Sequence, residues 1–390
     1  MTVRPGIEIL LRERKQILAG ARVGAVVHPA SILPSLQHTA DALQGERSFH
    51  LVSLFGPQHG ARGEKQDNMV ESASYLDPDT RLPVHSLYGE TRRPTEEMLS
   101  DLDILIFDLQ DVGTRVYTFI HTMAYCMEAC ARYGKSMVVL DRPNPINGAQ
   151  VEGSLLDPEF SSFVGLYRVP MRHGMTVGEL ALLLNSEFGI GCPLTVVPMQ
   201  GWRRSQWFDH TDLPWVMPSP NLPTLDSATV YPGMVLVEGT MLSEGRGTTR
   251  PFEFVGAPYV NARSLAGRLN ALQLPGVVFR PAYFEPTFQK FARVMCGGVQ
   301  IYVRKRDIFE PFLTGIAVIS GLRALYADLF QWRQPPYEYE SQKMPIEILC
   351  GGNSIPRQIE AGTPLEDIRR SWQQDVAHFR TQRRPYLLYD

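Results

Sequence analysis

The sequence predicts an α/β protein: a Rossmann-like parallel-sheet domain followed by a smaller α/β (α+β) domain. Three observations carry this expectation. Apolar, β-rich runs alternate with helical segments through the first half, which implies parallel strands joined by right-handed crossovers. Two of those runs are almost continuously apolar, as strands covered on both faces are. From Trp202 onward the chain turns rich in Pro, Trp and then Gly. That change places a boundary near Asn221 to Pro232 and divides the chain into residues 1–225 and 226–390.

The elements follow in order. Ile7 to Leu18 has helical periodicity. Arg22 to Val27 is a short β-branched strand ended by His28-Pro29, and His50 to Phe55 a second strand stopped by Gly56-Pro57. Leu82 to Leu87 is a candidate third strand. Pro94 to Leu99 starts a helix with acidic residues in its first turn, which suits the helix dipole. Asp103 to Leu109 and Ser136 to Leu140 are the buried strands, with a helix from Thr118 to Tyr133 closed by Gly134 between them. Val177 to Phe188 is a helix and Leu194 to Pro198 a last strand. Trp202 to Pro232 reads as a long ordered loop, which in a compact protein is usually functional. After a Gly-rich stretch from Glu238 to Gly256, helices are expected near Asn261 to Leu272, Phe309 to Leu329 and Pro364 to His378, the last with Thr363 as N-cap. Strands are expected near Val277 to Pro281 and Val299 to Val303.

Composition narrows the function. The 390 residues are 44% hydrophobic, enough for a sizeable core and too much for wholesale disorder. Lys and Arg number 38 against 41 Asp and Glu, a net charge of −3, without the basic field that nucleic-acid binding uses. The five cysteines include no C-x-x-C pair, so they are expected to be buried free thiols rather than a zinc site. No secretory signal is visible at the N-terminus and no apolar run has the length of a membrane span, so the expectation is a cytoplasmic protein without membrane or nucleic-acid partners.

Ligands of open α/β sheets bind beyond the carboxyl ends of the strands. Three strand ends here carry polar clusters: Gly56 to Glu64, Asp108 to Arg115, and Asp141 to Gly148. Three such clusters in one sheet point to a site. The competing reading is that Asp108 and Asp141 cap loops and pair with Arg115 and Arg142. The first strand is followed by His28-Pro29-Ala30-Ser31, and neither phosphate-cradling glycine motif occurs, so no nucleotide, nicotinamide or flavin cofactor is expected. His28, His59, His121 and His173 lack metal-ligand spacing, so no metal is expected. Trp202, Trp207, Phe208 and Trp215 crowd the long loop beside Asp209, His210 and Asp212. Such aromatics either stack on sugar rings or bury the loop.

Eight segments together resemble one family. They are Gly56-Pro57-Gln58-His59-Gly60 with Arg62-Gly63, Phe107 to Gly113, Leu140 to Pro145, Val151-Glu152-Gly153, Arg172 to Thr176, Pro218 to Thr224, Tyr231-Pro232-Gly233, and Ser243 to Thr249. This succession resembles the exo-β-N-acetylmuramidases of the NamZ type, once known only as a domain of unknown function. The resemblance runs from about Gly6 to the C-terminus. It implies a cleft between two domains and release of N-acetylmuramic acid from the non-reducing end of peptidoglycan fragments, without a nucleotide cofactor. The partner implied is a small amino-sugar or muropeptide substrate.

One position departs from the family. Where characterised members resemble Pro-Glu-His-Gly, with the Glu as favoured acid, this chain has Gln58. An amide cannot donate a proton as a carboxylic acid does, and glycoside cleavage needs an acid at the leaving oxygen. On the matched motifs the candidate catalytic residues are Gln58, His59, Asp108, Asp111 and Glu152. The candidate substrate-binding residues are Arg62, Glu64, Asp141, Arg142, Asn144, His173, Asn221, Glu244 and Arg246. Two functions stand: a glycoside hydrolase acting on muramic-acid or related amino-sugar termini, or a non-catalytic sugar- or muropeptide-binding homologue.

Overall fold

The computed structural model describes residues 2–63, 71 and 73–390. The strands of the first half are β1 (Arg22–Val26), β2 (His50–Gly56), β3 (Tyr75–Leu76), β4 (Pro83–Ser86), β5 (Ile104–Phe107), β6 (Ser136–Leu140), β7 (Glu152–Leu155), β8 (Pro170–Arg172) and β9 (Leu194–Val197). Seven of them form one sheet in the order β3-β4-β2-β1-β5-β6-β9. Only the edge strand β3 runs antiparallel to its neighbour. Counted by sequence, the six parallel strands lie in the doubly wound order 3-2-1-4-5-6, whose direction of winding reverses between β1 and β5. β7 and β8 form a separate antiparallel ribbon.

Both faces of the sheet are covered. Side chains alternate across a strand, so Val138 and Leu140 face one layer while Met137 and Val139 face the other. The first layer packs on α1 (Gly6–Glu13) and α2 (Thr39–Gln44). After the short α3 (Glu96–Leu99), the second layer is built by α4 (Phe119–Arg132) and α5 (Val177–Glu187). α5 opens with a capping box between Thr176 and Glu179, which satisfies two otherwise orphaned backbone donors.

The second half begins with α6 (Leu225–Met234). This corrects the expectation of a loop running to Pro232, because the helix begins inside it. Thr224 caps it by accepting the Ser227 amide at 3.2 Å. Next come β10 (Phe254–Ala257), α7 (Ala262–Ala271), β11 (Val277–Phe284), β12 (Cys296–Val303) and α8 (Pro311–Leu325). The three strands form an antiparallel sheet in the order β10-β12-β11. Where α6 crosses α8, a Cβ on Gly233 would lie 1.7 Å from the Pro311 carbonyl oxygen, and one on Gly315 would lie 2.2 Å from the Gly233 carbonyl oxygen. Only glycine lets these two backbones approach so closely.

Four helices end the chain: α9 (Pro345–Cys350), α10 (Ser354–Glu360), α11 (Leu365–Ser371) and α12 (Gln373–Gln382). The single helix expected from Pro364 to His378 is two, and Pro364 rather than Thr363 occupies the N-cap. The break falls at Trp372, which is buried edge-on against Phe312 with ring centroids 5.2 Å apart. The tail then returns to the first half. The Tyr389 hydroxyl donates to Asp141 at 2.5 Å, and the Asp390 carbonyl accepts the Arg204 amide at 2.8 Å. Among the described residues no helix is long and apolar enough to cross a membrane.

Candidate active site

The turn after β2 shapes the site. Gly60 N–H closes it onto the Pro57 carbonyl at 2.9 Å, and His59 and Gly60 both take positive φ, at 73° and 86°. Gln58 is thereby buried at the carboxyl end of the sheet. Its Oε1 accepts from the Thr118 hydroxyl at 2.7 Å, at the start of α4, and its Nε2 donates to the Tyr88 hydroxyl at 3.2 Å. His59 Nε2 lies 3.2 Å from the Ser219 hydroxyl.

Two cavities meet at this turn. One, of about 30 Å³, lies between Gln58, His59, Tyr117 and Thr118 on the sheet side and Glu238, Arg246, Phe252, Tyr337 and Glu338 from the second half. The other, of about 180 Å³, is bordered by His28, Arg62 and the Val216–Pro220 segment, and shares Gln58, His59 and Ser219 with the first. His28 sits at the reversal of the sheet and accepts the Gln110 amide at 2.9 Å on Nε2. Burial holds His28 well below the usual imidazole range, so it acts there as a neutral acceptor.

The cavity wall from the second half carries two carboxyl groups with opposite surroundings. Glu238 is bound by Arg246 at 2.7 Å and by the Tyr337 hydroxyl at 2.8 Å. Burial pushes it up, but Arg246 and Tyr337 outweigh burial and hold it below the usual carboxylate range. Arg246 also faces Glu244 at 3.3 Å, and Glu244 is bound in turn by Lys290 at 3.0 Å. Glu338 has neutral partners instead. Its Oε2 accepts from the Tyr88 hydroxyl at 2.9 Å, and Gln58 Nε2 reaches Oε1 at 3.5 Å. Burial, reinforced by the charge of Glu238, lifts its carboxyl to about 7.

The expected residues divide accordingly. Gln58, His59, Arg62 and Arg246 line the two cavities, although Arg62 is also held by Asp77 at 2.9 and 2.7 Å. Asn221 is buried in the segment after Ser219, whose hydroxyl accepts its amide at 3.3 Å. Asp108 and Arg142 form a buried two-point ion pair at 2.6 and 2.7 Å, with Thr39 donating to Asp108 at 2.6 Å. Asp141 receives Thr176, Gly178 and Tyr389. Asp108 and Asp141 follow adjacent parallel strands, yet both act as joints there. Among the described residues Arg115 pairs with no aspartate: it donates to the carbonyls of Ser154, Val169 and Leu349. Asp111 accepts the Gly113 amide at 2.7 Å and lies 3.3 Å from His173 Nε2. Asn144 bridges the Met175 carbonyl and the Ile146 amide. Glu152 accepts the Leu313 amide at 2.9 Å at the start of α8, and burial lifts it to about 7. Glu64 lies outside the described residues.

The loop aromatics bury the loop rather than face the cavities. Trp202 packs edge-on against Tyr389, Trp207 is enclosed with its N–H on Asp307 at 3.1 Å, and Trp215 packs on Phe208. The aromatic side chains that do line the smaller cavity are Tyr117, Tyr231, Phe252 and Tyr337. Sequence reasoning passed over Glu238, Glu338, Tyr88 and Thr118. The one local signal for Glu338 is the alternation Tyr337-Glu338-Tyr339-Glu340 after two prolines. Among the described residues, no group of three or more side chains is arranged to hold a metal ion.

Comparison with known proteins bears on this geometry. The N-terminal profile described as "Exo-beta-N-acetylmuramidase NamZ, N-terminal" matches residues 23–226, and the corresponding C-terminal profile matches residues 229–389. A Bacillus subtilis (strain 168) protein named peptidoglycan beta-N-acetylmuramidase NamZ is 48% identical over 387 residues, 99% of this chain and 91% of that protein. Two crystal structures of DUF1343 family proteins from Bacteroides fragilis NCTC 9343 share the fold. They superpose with TM-scores of 0.90 and 0.78 at 36% and 30% identity, each covering 100% of this chain and 99% of the other.

Proposed function

We propose that this chain, which belongs to the NamZ family of exo-beta-N-acetylmuramidases, hydrolyses the β-glycosidic bond of N-acetylmuramic acid at the non-reducing end of peptidoglycan fragments. The observation that carries the reading is the buried polar cavity at Gln58, walled on one side by the strand-end loops and on the other by Glu238, Arg246 and Glu338. Aromatic side chains (Tyr117, Tyr231 and Phe252) stand there beside polar ones (Arg246 and His59), the mixture that recognition of an amphipathic sugar requires. The division follows the same logic: residues 1–225 supply the turn that holds Gln58, and residues 226–390 supply the opposite wall. The reaction consumes water and needs no cofactor. A reducing, cytoplasmic compartment is supported by five buried, unpaired cysteines. A binding-only homologue is the weaker reading, because the relative that matches 99% of this chain is named as a hydrolase.

The test is incubation with N-acetylmuramyl-β-1,4-N-acetylglucosamine, followed by chromatography of the products. Release of both free sugars is the expected result. Saturable binding of the disaccharide with no release would favour the binding-only homologue and end the hydrolase reading.

A further inference from the structure

We propose that Glu338 delivers the proton to the departing glycosidic oxygen, filling in this chain the role left vacant by an amide at position 58. The proposal rests on the glycosidase reading above. It begins with position: the turn from Tyr337 to Glu340 lays the Glu338 carboxyl against Gln58, 3.5 Å from its Nε2 and 280 residues away in the chain. A proton donor there serves the same cavity that a carboxyl at position 58 would serve.

Elimination supports it. Among the described residues, two carboxyl groups line the smaller cavity, Glu238 and Glu338. Glu238 is held by the guanidinium of Arg246 at 2.7 Å, and a carboxylate so paired keeps its charge and carries no proton to give. Among the described residues Glu338 hydrogen-bonds to neutral groups, the Tyr88 hydroxyl and the Gln58 amide, and the Arg246 charge acts on it without a direct bond. Burial favours its neutral, protonated form.

The backbone adds an independent observation. Glu338 and Tyr339 both adopt positive φ, 45° and 68°, which is unfavourable for residues other than glycine. The turn holds this conformation with two reciprocal hydrogen bonds between Tyr337 and Glu340, each of 2.9 Å. Positive φ at both central residues is the geometry of a tight two-residue hairpin turn, and this turn sets Glu338 in the cavity wall.

In the step itself, the bond from C1 to the leaving oxygen breaks and its electron pair passes to that oxygen, which takes the Glu338 proton. Water adds to C1 in place of the departing sugar and releases a proton that restores Glu338. One water is consumed and nothing is oxidised or reduced.

The experiment compares wild type with Glu338→Gln on two substrates. One is the muramyl disaccharide, whose sugar leaving group needs protonation. The other is 4-nitrophenyl β-N-acetylmuraminide, whose phenolate leaves without it. On the disaccharide, kcat should fall roughly 10²–10⁴-fold with KM little changed. On the nitrophenyl substrate the loss should be at least about tenfold smaller, because acid assistance matters less to a good leaving group. The wild-type pH profile should fall off on its alkaline side near pH 7, where Glu338 loses its proton, and the variant should lack that limb. If Glu338→Gln does not fold, Glu338→Asp withdraws the carboxyl by one methylene and should again penalise the disaccharide more. Equal losses on both substrates would assign Glu338 a structural role and overturn the proposal. Full turnover by the variant would mean another residue is the acid. Wild type inactive on both substrates would overturn the glycosidase reading itself, and the acid role with it.

Discussion

The carboxyl end of β6 and the turn at Tyr337 to Glu340 each bury a carboxyl group, and burial lifts both Asp141 and Glu338 to about 7. Their surroundings then part. Asp141 is fully enclosed. Its Oδ1 takes the amides of Arg142 and Gly178 at 3.0 and 2.8 Å, and its Oδ2 takes the hydroxyls of Thr176 and Tyr389 at 2.7 and 2.5 Å. It ties β6, the start of α5 and the chain's tail into one joint. Glu338 meets the Tyr88 hydroxyl at 2.9 Å and the Gln58 amide at a longer 3.5 Å, and it borders a cavity. Burial favours the proton in either setting. What separates a joint from an acid is whether substrate can reach it.

The strand-end carboxylates offer the sharpest way to break this contrast. Asp108→Asn would leave the buried Arg142 guanidinium beside a neutral amide. Removing one partner of a buried ion pair typically costs about 3–5 kcal/mol, so urea denaturation should show a loss of that size. Turnover per folded molecule should stay within a few-fold of wild type. A large fall in kcat with stability intact would move Asp108 from joint to chemistry.

Asp141→Asn has a smaller effect, visible in its pH dependence. In the folded chain Asp141 keeps its proton up to about pH 7, whereas in the unfolded chain it would keep it only to about pH 4. Its contribution to stability is therefore complete below about pH 4 and is lost as pH rises through about 7. Asparagine has no such titration. The Tm of the variant should accordingly gain on that of wild type between about pH 4 and 8. A difference that stays flat across that range would mean Asp141 is ionised in the folded chain.

Gln58→Glu sharpens the other side of the comparison. It sets a second carboxyl within about the same 3.5 Å of Glu338, and two carboxyls so close share one proton rather than ionise together. The alkaline limb of the pH profile should move up by about one unit or more, and turnover at neutral pH should rise with it. A limb that does not move would place the two groups further apart in solution than they are here.

Much of the sheet was legible because its signals are local. β1, β2, β5, β6 and β9 are short apolar runs, three of them (β2, β5 and β6) ended by polar clusters, and α4 and α5 carry their own periodicity and, in α5, a capping box. α6 was hidden because Pro232 and Gly233 look like a turn. Gly233, with Gly315 opposite, lets the helix pack directly on α8. The break between α11 and α12 has a similar origin, since Trp372 is drawn into the core beside Phe312. The loop tryptophans are the reverse case: a composition that suits sugar binding serves to bury the loop.

By itself, the sequence determined the layered α/β architecture, the family, and the strand-end motifs that hold Gln58 and His59. Periodicity, turn chemistry and contiguous motifs survive in one dimension. Only the tertiary structure decided which carboxyl groups are joints and which face a cavity. Asp108 and Asp141 stood out in the sequence, and the fold gave each its donors: Arg142 and Thr39 for one, Thr176, Gly178 and Tyr389 for the other. Glu338 had no motif, and the fold set it against Gln58 and Tyr88. A carboxyl group's affinity for a proton depends on the charges, donors and solvent within a few ångströms of it. In this chain those neighbours come from segments up to 280 residues apart, so they exist only once the chain is folded.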